Sequence, residues 1–321
     1  MEYLVIGAGG TGGCIGAYMT EAGKNVTLIA RGAHLKAMQE NGLRMETTKK
    51  GNYTVYPVKA SDMEHYDGHP DIIFVCVKGY SLEETVPFIR RVAKPETVVI
   101  PILNIYGTGG RLQEQMPELL VTDGCIYIAG EIKEPGCLWQ NGDIFRVVFG
   151  VREPSEYREV LAEVKKDLED SGITAVLSDH IRRDALQKFS YVSPAAACGQ
   201  YYDAMAGDMQ KPGEIRDTFA ALIHEIDVLA NAMGICFEAD IVQTNLDILD
   251  SLTPEASTSM QRDVKKGKAS EMDGLIFEVV RMGRQYGVEL PVYEKIARKL
   301  REAASQGLFE FTPPRTSGTG R

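Results

Sequence analysis

Six residues near the start of the chain, Gly7-Ala8-Gly9-Gly10-Thr11-Gly12, have the types and spacing to cradle a pyrophosphate in backbone amides. The pattern is G-x-G-x-x-G, and it falls directly after the apolar run Tyr3 to Ile6 and at the opening of an amphipathic stretch. The first glycine permits a tight turn, the second lets the backbone approach phosphate, and the third lets helix and strand pack closely. Amides at the helix N-terminus then hold the anion. Gly7, Gly9, Gly10, Thr11 and Gly12 are therefore candidate dinucleotide contacts. The next apolar run ends Leu28-Ile29-Ala30-Arg31, where a carboxylate would take the ribose hydroxyls of NAD. Arg31 offers instead a planar fork suited to a 2′-phosphate, so NADPH is the expected cofactor. Two further polar residues close apolar runs: Lys78 follows Val75-Cys76-Val77, and Asn104 follows Val98 to Ile102. Both fall at the C-terminal edge of an expected parallel sheet, where ligands of open α/β folds bind. Without a ligand the same residues read as a solvated lysine and a turn asparagine.

The elements that must position these groups alternate in the first half of the chain. Tyr3 to Ile6, a helix to about Glu21, Val26 to Ile29 and a helix near His34 to Gln39 give the βαβ rhythm of a parallel sheet. Ile72 to Val77 and Val98 to Ile102 read as buried strands, and Met45 to Val58 as a hairpin across Lys49-Lys50-Gly51-Asn52. Ile126 to Ile128 and Phe145 to Val151 are expected to extend the same sheet. Pro154-Ser155-Glu156 reads as a helix start, with Leu161, Val164 and Leu168 forming the apolar stripe and Ser171-Gly172 the stop, before a last strand at Ile173 to Leu177. After His180 only helical patterns remain. The clearest carries Phe219, Leu222, Ile223, Ile226, Leu229 and Met233 and ends at Gly234; others are expected at about 259 to 286 and 292 to 305. Pro194 should kink the helix that begins near Arg182. The fold class is thus α/β: a Rossmann-type dinucleotide-binding domain over 1–179, then an all-α substrate domain over 180–321 that ends in a polar tail.

Composition sets limits on partners. A net charge of -10 repels nucleic-acid backbones and anionic lipid, so any anionic ligand must be caught by local design. The start Met1 to Ile6 meets glycines too early for a signal-peptide core or a membrane span. The six cysteines lack a Cys-x-x-Cys pair, which fits a reduced compartment, and the five histidines have no metal-ligand spacing. The expectation is a cytoplasmic protein with no bound metal, no nucleic-acid partner and no membrane.

Across nearly its whole length the chain resembles the ketopantoate reductase (2-dehydropantoate 2-reductase) family, NADPH-dependent enzymes of pantothenate synthesis. The glycine motif, Arg31, Lys78 and Asn104 fall where that family places its cofactor contacts. Leu186-Gln187-Lys188-Phe189 resembles the segment carrying its catalytic lysine. Ser259-Met260-Gln261-Arg262-Asp263 resembles its Ser-Met-x-x-Asp motif, with Glu271 at the position of its substrate-binding glutamate, and Tyr286 to Pro291 resembles its late Gly-to-Pro turn.

The resemblance implies reduction of a small 2-keto acid, ketopantoate in the first instance. Lys188 would donate the proton as hydride reaches carbon. Glu271 would hold and orient the substrate hydroxyl and also touch the cofactor, Ser259 would donate to the substrate carboxylate, and Asn104 would contact substrate and nicotinamide. A homodimer through the helical domain is the candidate assembly. Three departures bear on the substrate: Val192 and Ala196 stand where the family often has asparagine, and Ile105 stands where an Asn-Gly pair has glycine. They leave open a reductase of another 2-keto acid. A different class of reading is an NADPH-sensing regulator without turnover, which has no need of a proton donor.

Overall fold

Short runs such as Glu2–Ile6 (β1) and Asn25–Ile29 (β2), buried at nearly every position, satisfy their backbone groups by pairing in register, Tyr3 with Val26 and Val5 with Leu28. The computed structural model describes residues 1–306, so the polar tail lies outside the described residues. Two compact units divide the chain. Met1–Leu103 with Gly107–Ala185 forms the first; Asn104–Tyr106 with the chain from Leu186 forms the second.

In the first unit, β1 and β2 join Lys59–Ser61 (β5), Ile72–Val75 (β6), Val98–Pro101 (β7) and Leu120–Val121 (β8) in one sheet, all parallel. Its order is β5-β2-β1-β6-β7-β8, the doubly wound arrangement whose strand order reverses beside β1. A second sheet holds Leu43–Thr47 (β3), Gly51–Val55 (β4), Asp123–Glu134 (β9), Cys137–Gly150 (β10) and Thr174–Leu177 (β11). The expected hairpin is its β3–β4 pair. The segments at Ile126 to Ile128 and Phe145 to Val151 do not extend the parallel sheet. They are the buried ends of the β9–β10 antiparallel hairpin; the far half of β9 is mostly exposed, while β10 is buried again at Cys137 and Leu138 beside the turn.

Helix α1, Gly12–Glu21, lies between the sheets with eight of its ten residues buried. A Cβ on Gly16 would collide with Leu28 of β2, and one on Gly13 would lie 2.6 Å from Leu138 of β10. Small residues let both sheets close on this helix. Helices Gly32–Asn41 (α2), Leu82–Val92 (α3), Thr108–Gln115 (α4) and Val160–Asp170 (α5) complete the unit. Pro154–Glu156 is only a 3-10 turn: Glu156 Oε2 accepts from the backbone N–H of Glu153 at 3.1 Å, and α5 begins four residues later.

The second unit takes its core from Ile181–Tyr202 (α6), Ala206–Gln210 (α7), Glu214–Ala232 (α8), Ile241–Asp250 (α9), Ser259–Lys265 (α10), Glu278–Gln285 (α11) and Pro291–Ser305 (α12). Helix α6 starts in the first unit, and the division falls within it, between Ala185 and Leu186. It runs unbroken through Pro194, which removes a single N–H from its ladder. The helix expected over 259 to 286 is interrupted. Gly267, with φ +62°, ends α10, and a π-helical turn at Asp273–Phe277 precedes α11.

Buried polar groups pin these helices. The Ser193 hydroxyl donates to the Leu275 carbonyl at 2.5 Å and receives the Tyr293 hydroxyl at 2.6 Å, tying α6 to the π turn and to α12. The Glu225 carboxylate accepts the N–H groups of Val292 and Tyr293 at 2.7 and 2.9 Å, capping α12 from a neighbouring helix. In the first unit Asp167 of α5 accepts the Tyr3 hydroxyl at 2.5 Å and the Lys24 ammonium at 2.7 Å. Burial alone would raise the Asp167 pKa, yet these two bonds prevail and hold it below the usual carboxylate range. Its stabilisation is complete above the unfolded carboxyl pKa and is lost as pH falls through the lower folded value. Asp167→Asn is therefore expected to lower the melting temperature at pH 7 by about 2–4 °C. Melting curves taken stepwise toward pH 2 should show the two proteins converging.

Candidate active site

The loop after β1 lies at the point where strand order reverses. Gly7 adopts φ +97°, and a Cβ there would approach the Cys76 carbonyl to 2.9 Å, so glycine is required for the turn. The Gly7 and Ala8 amides donate to the Ile29 carbonyl at 3.2 and 3.0 Å, and Gly13 N–H to the Gly9 carbonyl at 2.8 Å starts α1. A Cβ on Gly12 would strike the Gly7 carbonyl, and one on Gly10 the Gly130 carbonyl of β9. Gly9 differs: no atom lies within 4 Å of its Cβ position. The loop is thus walled by backbone on two sides and open at Gly9. Thr11 occupies the N-cap position of α1 without a side-chain capping bond.

Arg31 closes β2 as the N-cap residue of α2, in extended conformation and exposed. Lys78, half-buried, lies just past β6 at the head of the Gly79–Ser81 turn. Strands β2 and β6 flank β1, so both cations stand at the same sheet edge as the glycine loop.

In the second unit, Lys188 projects from α6 and its ammonium donates to Asn104 Oδ1 at 2.7 Å. A hydrogen bond from a charged donor contributes about 1.5–3 kcal/mol, and with its oxygen engaged the Asn104 amide presents N–H donors to other groups. The residues after Asn104 hold it there. Ile105, buried, covers Gly274 of the π turn so closely that a Cβ on Gly274 would collide with it. Tyr106 lies with its ring centroid 6.1 Å from that of Phe189, the neighbour of Lys188. Glu271 is buried, and its carbonyl accepts the Leu275 N–H at 2.9 Å as the π turn begins. Ser259 is the first residue of α10, but the cap is Thr258, whose hydroxyl accepts the Gln261 N–H at 3.2 Å. Capping therefore does not account for Ser259. Val192 is half-buried, and Ala196 is fully buried in the helical core.

Sequence reasoning missed the contact of Ile105 with Gly274 and the π turn that presents Glu271. The one local signal was a glycine inside the apolar run Leu275 to Phe277 and its flanks. A mid-helix π turn of this kind often marks a functional site.

A doubly wound sheet with a glycine cradle at its switch point, joined to a helical unit bearing a lysine held by an asparagine amide, defines an oxidoreductase of the dinucleotide-binding class. The family model described as Ketopantoate reductase PanE/ApbA matches residues 3–154, and its C-terminal counterpart matches residues 180–304. The chain belongs to the ketopantoate reductase family. It is similar to an uncharacterized oxidoreductase of Bacillus subtilis, YkpB, at 26% identity over 94% of this chain and 98% of that protein. A crystal structure of 2-dehydropantoate 2-reductase from Porphyromonas gingivalis is 27% identical, covering 94% of this chain and 99% of that one, with a TM-score of 0.80. The ternary structure of D-mandelate dehydrogenase with NADH and anilino(oxo)acetate shares the fold at 19% identity, covering 95% of this chain and 99% of that one, with a TM-score of 0.84. No described helix is long and apolar enough to cross a membrane.

Gly274→Ala is expected to destabilise the protein by about 1–3 kcal/mol, because its Cβ would have to displace the buried Ile105 side chain. In an Ile105→Ala background the same change should cost much less. Denaturant unfolding of the two single variants and the double variant measures this coupling.

Proposed function

We propose that this chain reduces 2-dehydropantoate to pantoate with NADPH, using Lys188 as the proton donor. The observation that carries the reading is the Lys188–Asn104 hydrogen bond, which fixes an ammonium on the segment that resembles the family's catalytic one. Bound NADPH supplies the hydride. Its pyrophosphate would be held at the loop open at Gly9, with Gly7, Gly10, Thr11 and Gly12 shaping the loop, Arg31 would pair with the 2′-phosphate, and Lys78 would add positive charge at the sheet edge.

The chain's own residues do the rest. Lys188 polarises the ketone oxygen and gives it a proton as negative charge develops there. Asn104 holds the ammonium by its oxygen and offers its amide hydrogens to substrate or nicotinamide. Glu271 accepts the hydroxyl of the substrate and orients the keto carbon, and Ser259 donates to the carboxylate. The ketone, the hydroxyl and the carboxylate of the substrate thereby each have a partner of matching polarity.

A second reading is favoured by the aliphatic Val192 and by the bulk of Ile105 over Gly274, which point to a different 2-keto acid. The likeness in fold to a D-mandelate dehydrogenase supports it, since that name denotes an enzyme of an aromatic hydroxy acid. Following NADPH consumption with 2-dehydropantoate and with branched, unbranched and aromatic 2-keto acids separates the readings. Preference for 2-dehydropantoate supports the proposal, preference for another acid supports the second reading, and binding of NADPH with no turnover on any acid would indicate a sensor.

Lys188→Ala should retain NADPH binding while turnover falls about 10²- to 10⁴-fold. Near-normal turnover in a stopped-flow assay would remove Lys188 from the mechanism. Arg31→Ala should raise the Kd of NADPH far more than that of NADH, and equal increases in a fluorescence titration would refute the 2′-phosphate contact.

A further inference from the structure

His34, in the first turn of α2, was read from the sequence only as one of five histidines without metal spacing. Its imidazole has two defined partners. Nδ1 accepts the Gly136 N–H at 3.0 Å, from the turn between β9 and β10. A ring nitrogen that accepts carries no proton, so in the neutral ring the hydrogen is on Nε2, which lies 2.9 Å from the Ala8 carbonyl and donates to it. Burial lowers the imidazole pKa and outweighs the bond to Ala8, which acts the other way, so the neutral tautomer is favoured. Contact between Gly136 and Ala37 in the next turn of α2 keeps the β9–β10 turn in place beside the ring.

The Ala8 carbonyl belongs to the peptide that joins Ala8 to Gly9. A trans peptide is planar, with its C=O and N–H pointing in opposite directions. Fixing the carbonyl toward His34 therefore turns the Gly9 N–H away from His34. Among the described residues no hydrogen bond occupies that N–H, and the same residue is the open point of the cradle. The other end of the loop is already tied by the Gly7 and Ala8 amides to Ile29, which leaves this carbonyl as the remaining rotation to be set.

We infer that His34 is a positioning residue for dinucleotide binding: its Nε2–H holds the Ala8 carbonyl and so aims the Gly9 amide at the pyrophosphate. The inference rests on the proposed dinucleotide function. Because pyrophosphate is common to both cofactors, loss of this aim weakens NADPH and NADH alike, in contrast to loss of Arg31.

Two substitutions separate aiming from general packing. His34→Gln places an amide nitrogen near the Nε2 position and keeps the donor to Ala8 while losing the acceptor for Gly136. His34→Asn places an amide oxygen near the Nδ1 position and keeps the acceptor while losing the donor. Each variant loses one hydrogen bond, so a purely structural role would affect both equally. Fluorescence titration of the full chain should show His34→Asn raising the Kd of both NADPH and NADH about five- to tenfold, with His34→Gln near the wild-type value. Melting temperatures of the two variants should be close to each other. Equal affinities in the two variants, or an unaltered His34→Asn, would overturn the inference while wild-type binding still upholds the dinucleotide reading. A wild-type chain that binds neither dinucleotide overturns both.

Discussion

The first unit depends on one steric constraint: helix α1 must fit between two sheets that approach it from opposite sides. Gly16 faces Leu28 of the parallel sheet, Gly13 faces Leu138 of the second sheet, and Gly12 meets the turn at Gly7. A Cβ at Gly12 would strike the Gly7 backbone, and one at Gly13 or Gly16 would have to displace a leucine side chain reaching from a sheet. The close fit draws the head of α1 flush against the end of β1, so that the loop is walled by Cys76, Gly130 and Gly7 and open at Gly9. The shape of the loop is thus a by-product of packing.

The second unit uses a different device. Its apolar helices pack around Phe219, Leu222, Ile226 and Tyr293, but directional bonds set their register: Ser193 to Leu275 and Tyr293, and Glu225 to the head of α12. Those bonds hold the π turn, and the π turn offers Gly274 as the seat of Ile105. Ile105 in turn secures Asn104 on the Lys188 ammonium. The π turn and the Lys188 ammonium are thus linked through Gly274, Ile105 and Asn104.

Much of this fold was legible in the sequence because burial leaves a periodic trace. The parallel strands, the glycine turn and the long helix α8 all show it. The second sheet left its strands but not their pairing: the β3–β4 hairpin and β11 were legible, whereas the apolar run at Ile126 to Ile128 marks only the buried end of β9, whose far half is mostly exposed. The break after α10 was signalled by Lys266-Gly267-Lys268, but the apolar spacing on either side masked it. Candidate site residues were proposed one by one, from motif and resemblance. Their relations were not: Asn104 and Lys188 are separated by 84 positions, and His34 meets Gly136 across 102. No local pattern encodes a bond of that range, which exists only once both elements have been placed.

The assignment of Asn104–Tyr106 to the helical unit means that the polypeptide enters that unit twice, once briefly after β7 and again for good at Leu186. A gene fragment cut at the second entry would encode nearly all of the helical unit and still be deprived of the tripeptide that packs over Gly274 and holds the lysine. Exchange of the helical unit between relatives therefore calls for grafting two separate stretches of sequence, the short one as well as the long.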